Sequence, residues 1–305
     1  MEIILKQNKP DISDSTIKTY ISVLNNLYKK LKIDDLFNVD FFKKYHKEVL
    51  KFLETANLNS RKTTISAIIT LLGNIKAVEE YRTVLFQDMN IKNKIDNDQK
   101  LNDKQKENFL NIDEIKQIYE YYKKKYIGLN IKNLTVKLNK TDYFNYQSFI
   151  LLSLISGIYT PPRRLMDYIH LKFNDDNENN YLKKGILYFR KYKTQKTYGD
   201  QKIKLVPKLN LLLKEYIKYR QINDDNSDYF FINNDNNNMS ASNLNQYINS
   251  IFENVLQRKI NIGVNGLRHI YITDKYKNIP SINDMNDTAY KMGHNVDMAL
   301  KYIKK

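Results

Sequence analysis

Three short stretches hold most of the chemical capacity of this chain. Near the C-terminus it reads Val264-Asn265-Gly266-Leu267-Arg268-His269, then Lys291-Met292-Gly293-His294-Asn295, then Leu300-Lys301-Tyr302. In the middle it reads Tyr159-Thr160-Pro161-Pro162-Arg163-Arg164-Leu165-Met166-Asp167. Between them lies a segment carrying Lys191, Lys193, Lys196, Lys202 and Lys204. A guanidinium fork binds an oxyanion, an imidazole exchanges a proton near neutral pH, and a phenolic hydroxyl is a latent nucleophile. With 24 Tyr and 50 Lys plus Arg among 305 residues, types alone decide little, and order and company carry the information.

The bulk composition narrows the setting. A formal net charge of +16 favours a polyanionic partner, because cationic side chains displace condensed counterions from a phosphate backbone. A generic Lys-rich composition would also raise the charge. An apolar content of 42% is enough for a real core. Cysteine is absent, so disulfides and thiolate metal sites are excluded. The four histidines, at 46, 170, 269 and 294, share no metal-ligand spacing, and no cofactor is expected. No apolar run approaches the roughly 20 residues that span a bilayer. The opening Met1-Glu2-Ile3-Ile4-Leu5-Lys6 turns polar too soon for a signal peptide. The expectation is a soluble intracellular protein without a membrane partner.

The positioning elements follow from periodicity. Ile17, Tyr20, Ile21, Leu24, Leu27, Tyr28 and Leu31 recur at three and four, giving an amphipathic helix capped near Ser13 to Ser15. A second helix is expected over 40–54, and a third opened by Asn59 to Thr64. At that third helix start Ser60, Arg61, Lys62, Thr63 and Thr64 gather hydroxyls and cations that suit a phosphate oxygen. Ordinary capping with solvated cations explains them equally well. Residues 1–92 therefore read as a small all-helical domain and 93–107, nearly devoid of apolar side chains, as a linker. A second domain spans 108–305. Asn111 and Glu114 form a capping box, 129–142 reads as loop, and Tyr146 to Ser156 as an apolar core helix. Pro161-Pro162 enforces an extended turn ahead of the next helix. Arg164 and Asp167, three apart, are expected as neighbours on one helix face. Gly185 to Arg190 and Lys202 to Pro207 read as a β-hairpin, whose lysines also fit a plain solubilising edge. Helices over 211–222 and from Ser240 follow, around an Asn- and Asp-rich loop at 224–238. The fold class is mainly α with a small β-sheet.

Leu267-Arg268-His269, the Gly293-His294 pair and a Tyr close to the end together resemble the C-terminal part of a tyrosine recombinase (phage-integrase) active site. The resemblance extends over nearly the whole chain. It implies an N-terminal helical core-binding domain and a C-terminal catalytic domain closing as a clamp on duplex DNA. It makes Arg164 the first catalytic Arg, with Asp167 its acidic helper, and Arg268 the second. It makes Lys193 the hairpin Lys, with Lys196 as fallback, His294 the His-or-Trp position and Tyr302 the nucleophile. Arg163 and the Ser60–Thr64 helix start are implied DNA contacts. The Pro-Pro-Arg-Arg form is similar to integrases carried by large DNA viruses and their mobile elements. In that chemistry Tyr302 leaves a 3′-phosphotyrosine, two guanidinium forks stabilise the transition state without a metal, and Lys193 protonates the departing 5′ oxygen. The conserved bond energy lets strands rejoin without ATP, and strand exchange implies four copies on two DNA sites.

Two departures stand out. The family's usual His three residues before the second Arg is Asn265 here, and a carboxamide cannot exchange a proton near neutral pH. His269 lies at a different place and reads as structural. Tyr302 falls one residue short of the family's usual spacing from His294, and one residue turns a helix by about 100°, so a bend is expected there. A type IB topoisomerase-like enzyme and a non-catalytic DNA-binding protein derived from the fold are the alternatives.

Overall fold

Helix caps and apolar stripes divide the chain into two compact units, Met1–Asp98 and Gln99–Lys305. The computed structural model describes residues 1–73, 78–131, 137–223, 227–278 and 280–304.

The first unit is all helical among its described residues: α1 (Glu2–Asn8), α2 (Asp14–Leu31), α3 (Phe41–Lys44), α4 (His46–Glu54), α5 (Leu58–Leu72) and α6 (Val78–Asn97). Ser13 caps α2 by accepting from the Thr16 N–H. The single helix expected over 40–54 is two, broken at Tyr45, so that Phe41 and Phe42 both turn into the core. The third helix opens earlier than expected, capped by Asn57. Leu24, Phe42, Val49, Ile65, Ile68 and Tyr81 anchor the core. Residues 93–97, read as linker, complete the last turn and a half of α6.

The second unit begins with α7 (Asp103–Asn108) and α8 (Ile112–Gly128), each opened by a capping box, Asn102 with Gln105 and Asn111 with Glu114. Next comes α9 (Lys140–Ile155), in which all ten residues from Tyr146 to Ile155 are buried. It starts inside the stretch read as loop, because Asn139 caps it; 132–136 of that stretch lie outside the described residues. Gly157 ends the helix run at φ +84°, with its missing Cβ facing the Tyr271 ring. Then follow α10 (Leu165–Ile169), β1 (Leu171–Lys172), β2 (Asn180–Lys183), β3 (Ile186–Phe189), α11 (Gln195–Tyr198), β4 (Gln201–Lys204) and α12 (Pro207–Ile222). The hairpin belongs to a four-stranded sheet in order β1-β2-β3-β4, parallel at β1/β2 and antiparallel elsewhere. Pro207, read as the end of a strand, is the first residue of α12. The Asn- and Asp-rich loop, described from 227 on, buries Phe230, Phe231 and Ile232. The chain closes with α13 (Ala241–Leu256), α14 (Val264–Lys275), α15 (Ile282–Met292) and α16 (Val296–Leu300). One large core joins α8, α9, α12, α13 and the sheet, and a satellite cluster of Ile272, Met292 and Tyr302 sits at the chain end. No described helix is long and apolar enough to cross a membrane.

Candidate active site

Three elements of the second unit bring the sequence's reactive residues together. The extended segment ahead of α10 supplies Arg163 and Arg164, helix α14 supplies Arg268, and the end of the chain supplies His294 and Tyr302.

Arg268 is completely buried. One arm of its guanidinium, Nη1, donates to the Pro162 and Met292 carbonyls, at 3.1 Å each. Its Nε and Nη2 have no hydrogen-bond partner. The guanidinium carbon stands 4.7 Å from the centre of the Tyr302 ring. Burial pulls the Arg268 pKa down and the Tyr302 side chain opposes this, but a guanidinium stays a cation.

The bend expected between His294 and Tyr302 has a definite origin. Gly293 ends α15 at φ +73°, Asn295 caps the five-residue α16, and Tyr302 follows the C-cap Lys301. The Tyr302 ring, 8% exposed, lies nearly parallel to His294 with centroids 5.5 Å apart, and 4.7 Å from His269 at a tilt of 48°. His269 Nδ1 donates to the Tyr302 carbonyl at 2.8 Å. His294 is 4% exposed, its Nδ1 faces the Asn295 carbonyl at 2.9 Å, and its Nε2 has no partner. Burial first, then Arg268, push the His294 pKa down to about 4, so the ring is neutral at pH 7.

The first-arginine motif is wired differently from the helical reading. Asp167 pairs with Arg163, Nε to Oδ2 at 2.7 Å, and not with Arg164. The physical reason is that Arg164 is the N-cap of α10, with extended backbone, so the helical spacing rule does not reach it. Arg164 Nη1 donates instead to the Gly293 carbonyl at 3.0 Å. Arg163, expected at the DNA surface, is 2% exposed. It donates through Nη1 to Gln201 Oε1 and the Lys291 carbonyl, and lies over the Phe189 and Tyr192 rings. It is a strut tying α10, β4 and α15 together. Burial pushes the Asp167 carboxyl up from its usual range and Arg163 opposes that.

The lysine hairpin reaches the site through a neighbour of Lys193. Thr194 Oγ1 donates to the same Gly293 carbonyl that Arg164 holds, at 2.8 Å. Lys193 is exposed beside it; Lys196 is exposed one residue into α11. Asn265 lies on the first turn of α14, exposed, with its amide 3.5 Å from His269 Nε2. Sequence reasoning missed Gln201, Thr194 and Asn180, and named Gly293 only as the neighbour of His294. Asn180 is buried and bonds the Asp167 and Lys191 carbonyls and the Arg190 and Lys191 N–H groups. The one available signal was Gln201 at an inward position of an alternating strand, where a polar side chain needs a partner.

In the first unit, the set at 60–64 that reads as phosphate-binding is partly taken up by its own packing. Arg61 forms a two-pronged pair with the buried Asp88 and also donates to the Glu54 carbonyl, and Thr64 is buried. Ser60, Lys62 and Thr63 remain at the surface or half-buried.

Among the described residues, eight buried side-chain polar atoms lack a hydrogen-bond partner, and five belong to Arg163, Asp167, Arg268 and His294. Buried polar groups are normally satisfied, and this concentration has the chemistry of a place that could hold a ligand. Two unused N–H groups on a buried cation, beside a second arginine, fit an oxyanion.

No family model and no curated protein matches this sequence. Solved structures similar to it include XerA recombinase, at 16% identity over 99% of this chain and 91% of that one, with a TM-score of 0.45. Also similar are two structures of XerH site-specific recombinase with its difH substrate. The post-cleavage complex has 14% identity over 99% and 90% of the chains and a TM-score of 0.48. The pre-cleavage complex has 14% identity over 99% and 91% and a TM-score of 0.46.

Proposed function

We propose that this chain cuts and rejoins duplex DNA through a 3′-phosphotyrosyl intermediate on Tyr302, acting as a site-specific recombinase. The observation that carries the reading is the buried Arg268, with Nε and Nη2 unused, set against the Tyr302 ring. A scissile phosphate seated there would meet those two N–H groups and the Arg164 fork, which favour the charge that builds on its non-bridging oxygens. Tyr302 supplies the attacking oxygen. Lys193 is the acid for the departing 5′ oxygen. It is preferred over Lys196 because the adjacent Thr194 is bonded to the Gly293 carbonyl, while Lys196 lies farther along the turn. Asp167 acts through Arg163, holding the base of the site. The net charge of +16, the exposed Ser60 and the half-buried Lys62 and Thr63 support double-stranded DNA as partner. Four copies on paired sites would exchange strands. Association with a virus or mobile element rests on the Pro161-Pro162-Arg163-Arg164 form alone.

Asn265 favours a second reading, a type IB topoisomerase-like enzyme with the same intermediate. A nicked duplex that traps the covalent adduct, with Tyr302→Phe beside it, tests the shared chemistry. Relaxation of a supercoiled plasmid by a single copy, without recombinant product, would select the topoisomerase. DNA binding without any adduct would select a non-catalytic binder.

A further inference from the structure

Attack on phosphorus requires Tyr302 to shed its phenolic proton, and Asn265, at the position where the resembled family carries an imidazole, cannot take it. We infer that His294 is the proton acceptor for Tyr302. The inference rests on the phosphotyrosyl reading above.

Two imidazoles touch the Tyr302 ring, and their hydrogen bonds tell them apart. His269 Nδ1 faces the Tyr302 carbonyl, which can only accept, so Nδ1 carries the proton. Its other nitrogen faces the Asn265 amide, which can only donate. His269 therefore spans the main chain of the nucleophile and the first turn of α14, which makes it a positioning residue. His294 Nδ1 is likewise fixed as a donor, to the Asn295 carbonyl. That tautomer leaves Nε2 with a lone pair, buried, beside Tyr302 and without a partner. In this resting state Nε2 can accept a proton and cannot give one.

The surroundings keep the ring in that state. Arg268 from α14 and Arg164 and Arg163 from ahead of α10 face it and Tyr302 stacks on it, while the Asp167 carboxylate is paired with Arg163. Burial and these cations oppose a resting imidazolium. An arriving phosphodiester brings negative charge and makes the protonated ring tolerable at the moment it forms.

The step balances. As the Tyr302 Oη–phosphorus bond forms and the phosphorus–O5′ bond breaks, the Oη proton passes to His294 Nε2. The departing oxygen takes a proton from Lys193. The products are a 3′-phosphotyrosine, a 5′-hydroxyl, an imidazolium and a neutral amine. The new Nε2–H then donates to a non-bridging phosphate oxygen, and rejoining reverses each transfer.

The test is the pH dependence of adduct formation on a randomised duplex library nicked at a fixed position, for the full chain and His294→Gln. The expected wild-type rate is level above the pH at which His294 loses its proton. The variant should be slower by roughly 10²–10⁴ at neutral pH. Its rate should climb about tenfold per pH unit, since solvent hydroxide must then take the proton that Nε2 no longer accepts. His294→Ala should recover with added imidazole. Parallel profiles for wild type and His294→Gln, or no response of His294→Ala to imidazole, would overturn the inference and leave the ring a phosphate holder. Absence of any wild-type adduct would overturn the phosphotyrosyl reading itself, a different result from either.

Discussion

Replacing Arg163 by Met separates a structural arginine from a DNA-contacting one. The substitution keeps the stem of the side chain over Phe189 and Tyr192 but strips Asp167, Gln201 Oε1 and the Lys291 carbonyl of their donor. Breaking a buried ion pair by removing one partner costs about 3–5 kcal/mol, because the remaining charge is left uncompensated. Asp167 can limit this by taking up a proton, a response its raised pKa already favours, so the lower end of the range is expected. For a unit of about 200 residues, each kcal/mol moves the midpoint by about 2–4 °C, which gives a fall of roughly 6–12 °C for a loss of about 3 kcal/mol. Thermal unfolding followed by circular dichroism reads it directly. The double variant Arg163→Met with Asp167→Leu should regain most of the loss, since apolar residues often replace a buried pair at little cost. A single variant within about 1 °C of wild type, or a double variant no better than the single, would refute the strut and return Arg163 to the DNA surface.

Other outcomes follow from the same contacts. His294 titrates near 4 when folded against about 6.5 for a free imidazole, so between these values the unfolded chain binds more protons. Stability should therefore rise with pH across that window, by about 3 kcal/mol from this residue, and be lost as pH falls. His294→Gln removes that penalty on the charged ring, so between pH 7 and pH 4 the wild type should lose about 3 kcal/mol more than the variant by urea denaturation; a difference constant with pH contradicts the assignment. Arg61→Ala should destabilise the first unit by about 3 kcal/mol by orphaning Asp88. Lys62→Ala should leave stability alone and make DNA binding less salt-dependent by about one phosphate contact; the reverse pattern would restore Arg61 as the DNA contact. Gly293→Ala should cost about 1 kcal/mol or more for its positive φ. It should also weaken adduct formation, because the new Cβ would come 2.9 Å from Arg163 Nη2; full activity would mean that this turn does not position the site.

Where local chemistry decides the outcome, the sequence was readable. Ser13, Asn111 and Ser240 announced their helices, and each accepts the expected backbone N–H. The apolar run of α9 was equally plain. Legibility failed where tertiary contacts override local rules. Strands β1 and β2 span two and four residues, and β2 contains Asn180, a poor strand former whose side chain is held by four hydrogen bonds. The partner of Asp167 was misread because an Arg-Arg pair straddles the helix start, and spacing alone does not say which residue is helical. Arg268, His294 and Tyr302 were named from order and company. Their mutual packing depends on Gly293 and on the α16 cap, which no periodicity reveals.

The most direct test of phosphotyrosyl chemistry is peptide mapping of the covalent adduct. The wild-type chain would be trapped on a nicked duplex and digested with protease and nuclease, and the nucleotide-bearing peptide sequenced by mass spectrometry. The expected result is a 3′-nucleotide on the peptide containing Tyr302, and none from Tyr302→Phe. A nucleotide on another residue, such as the exposed Tyr290, or an adduct undiminished in the Tyr302→Phe chain, would contradict it.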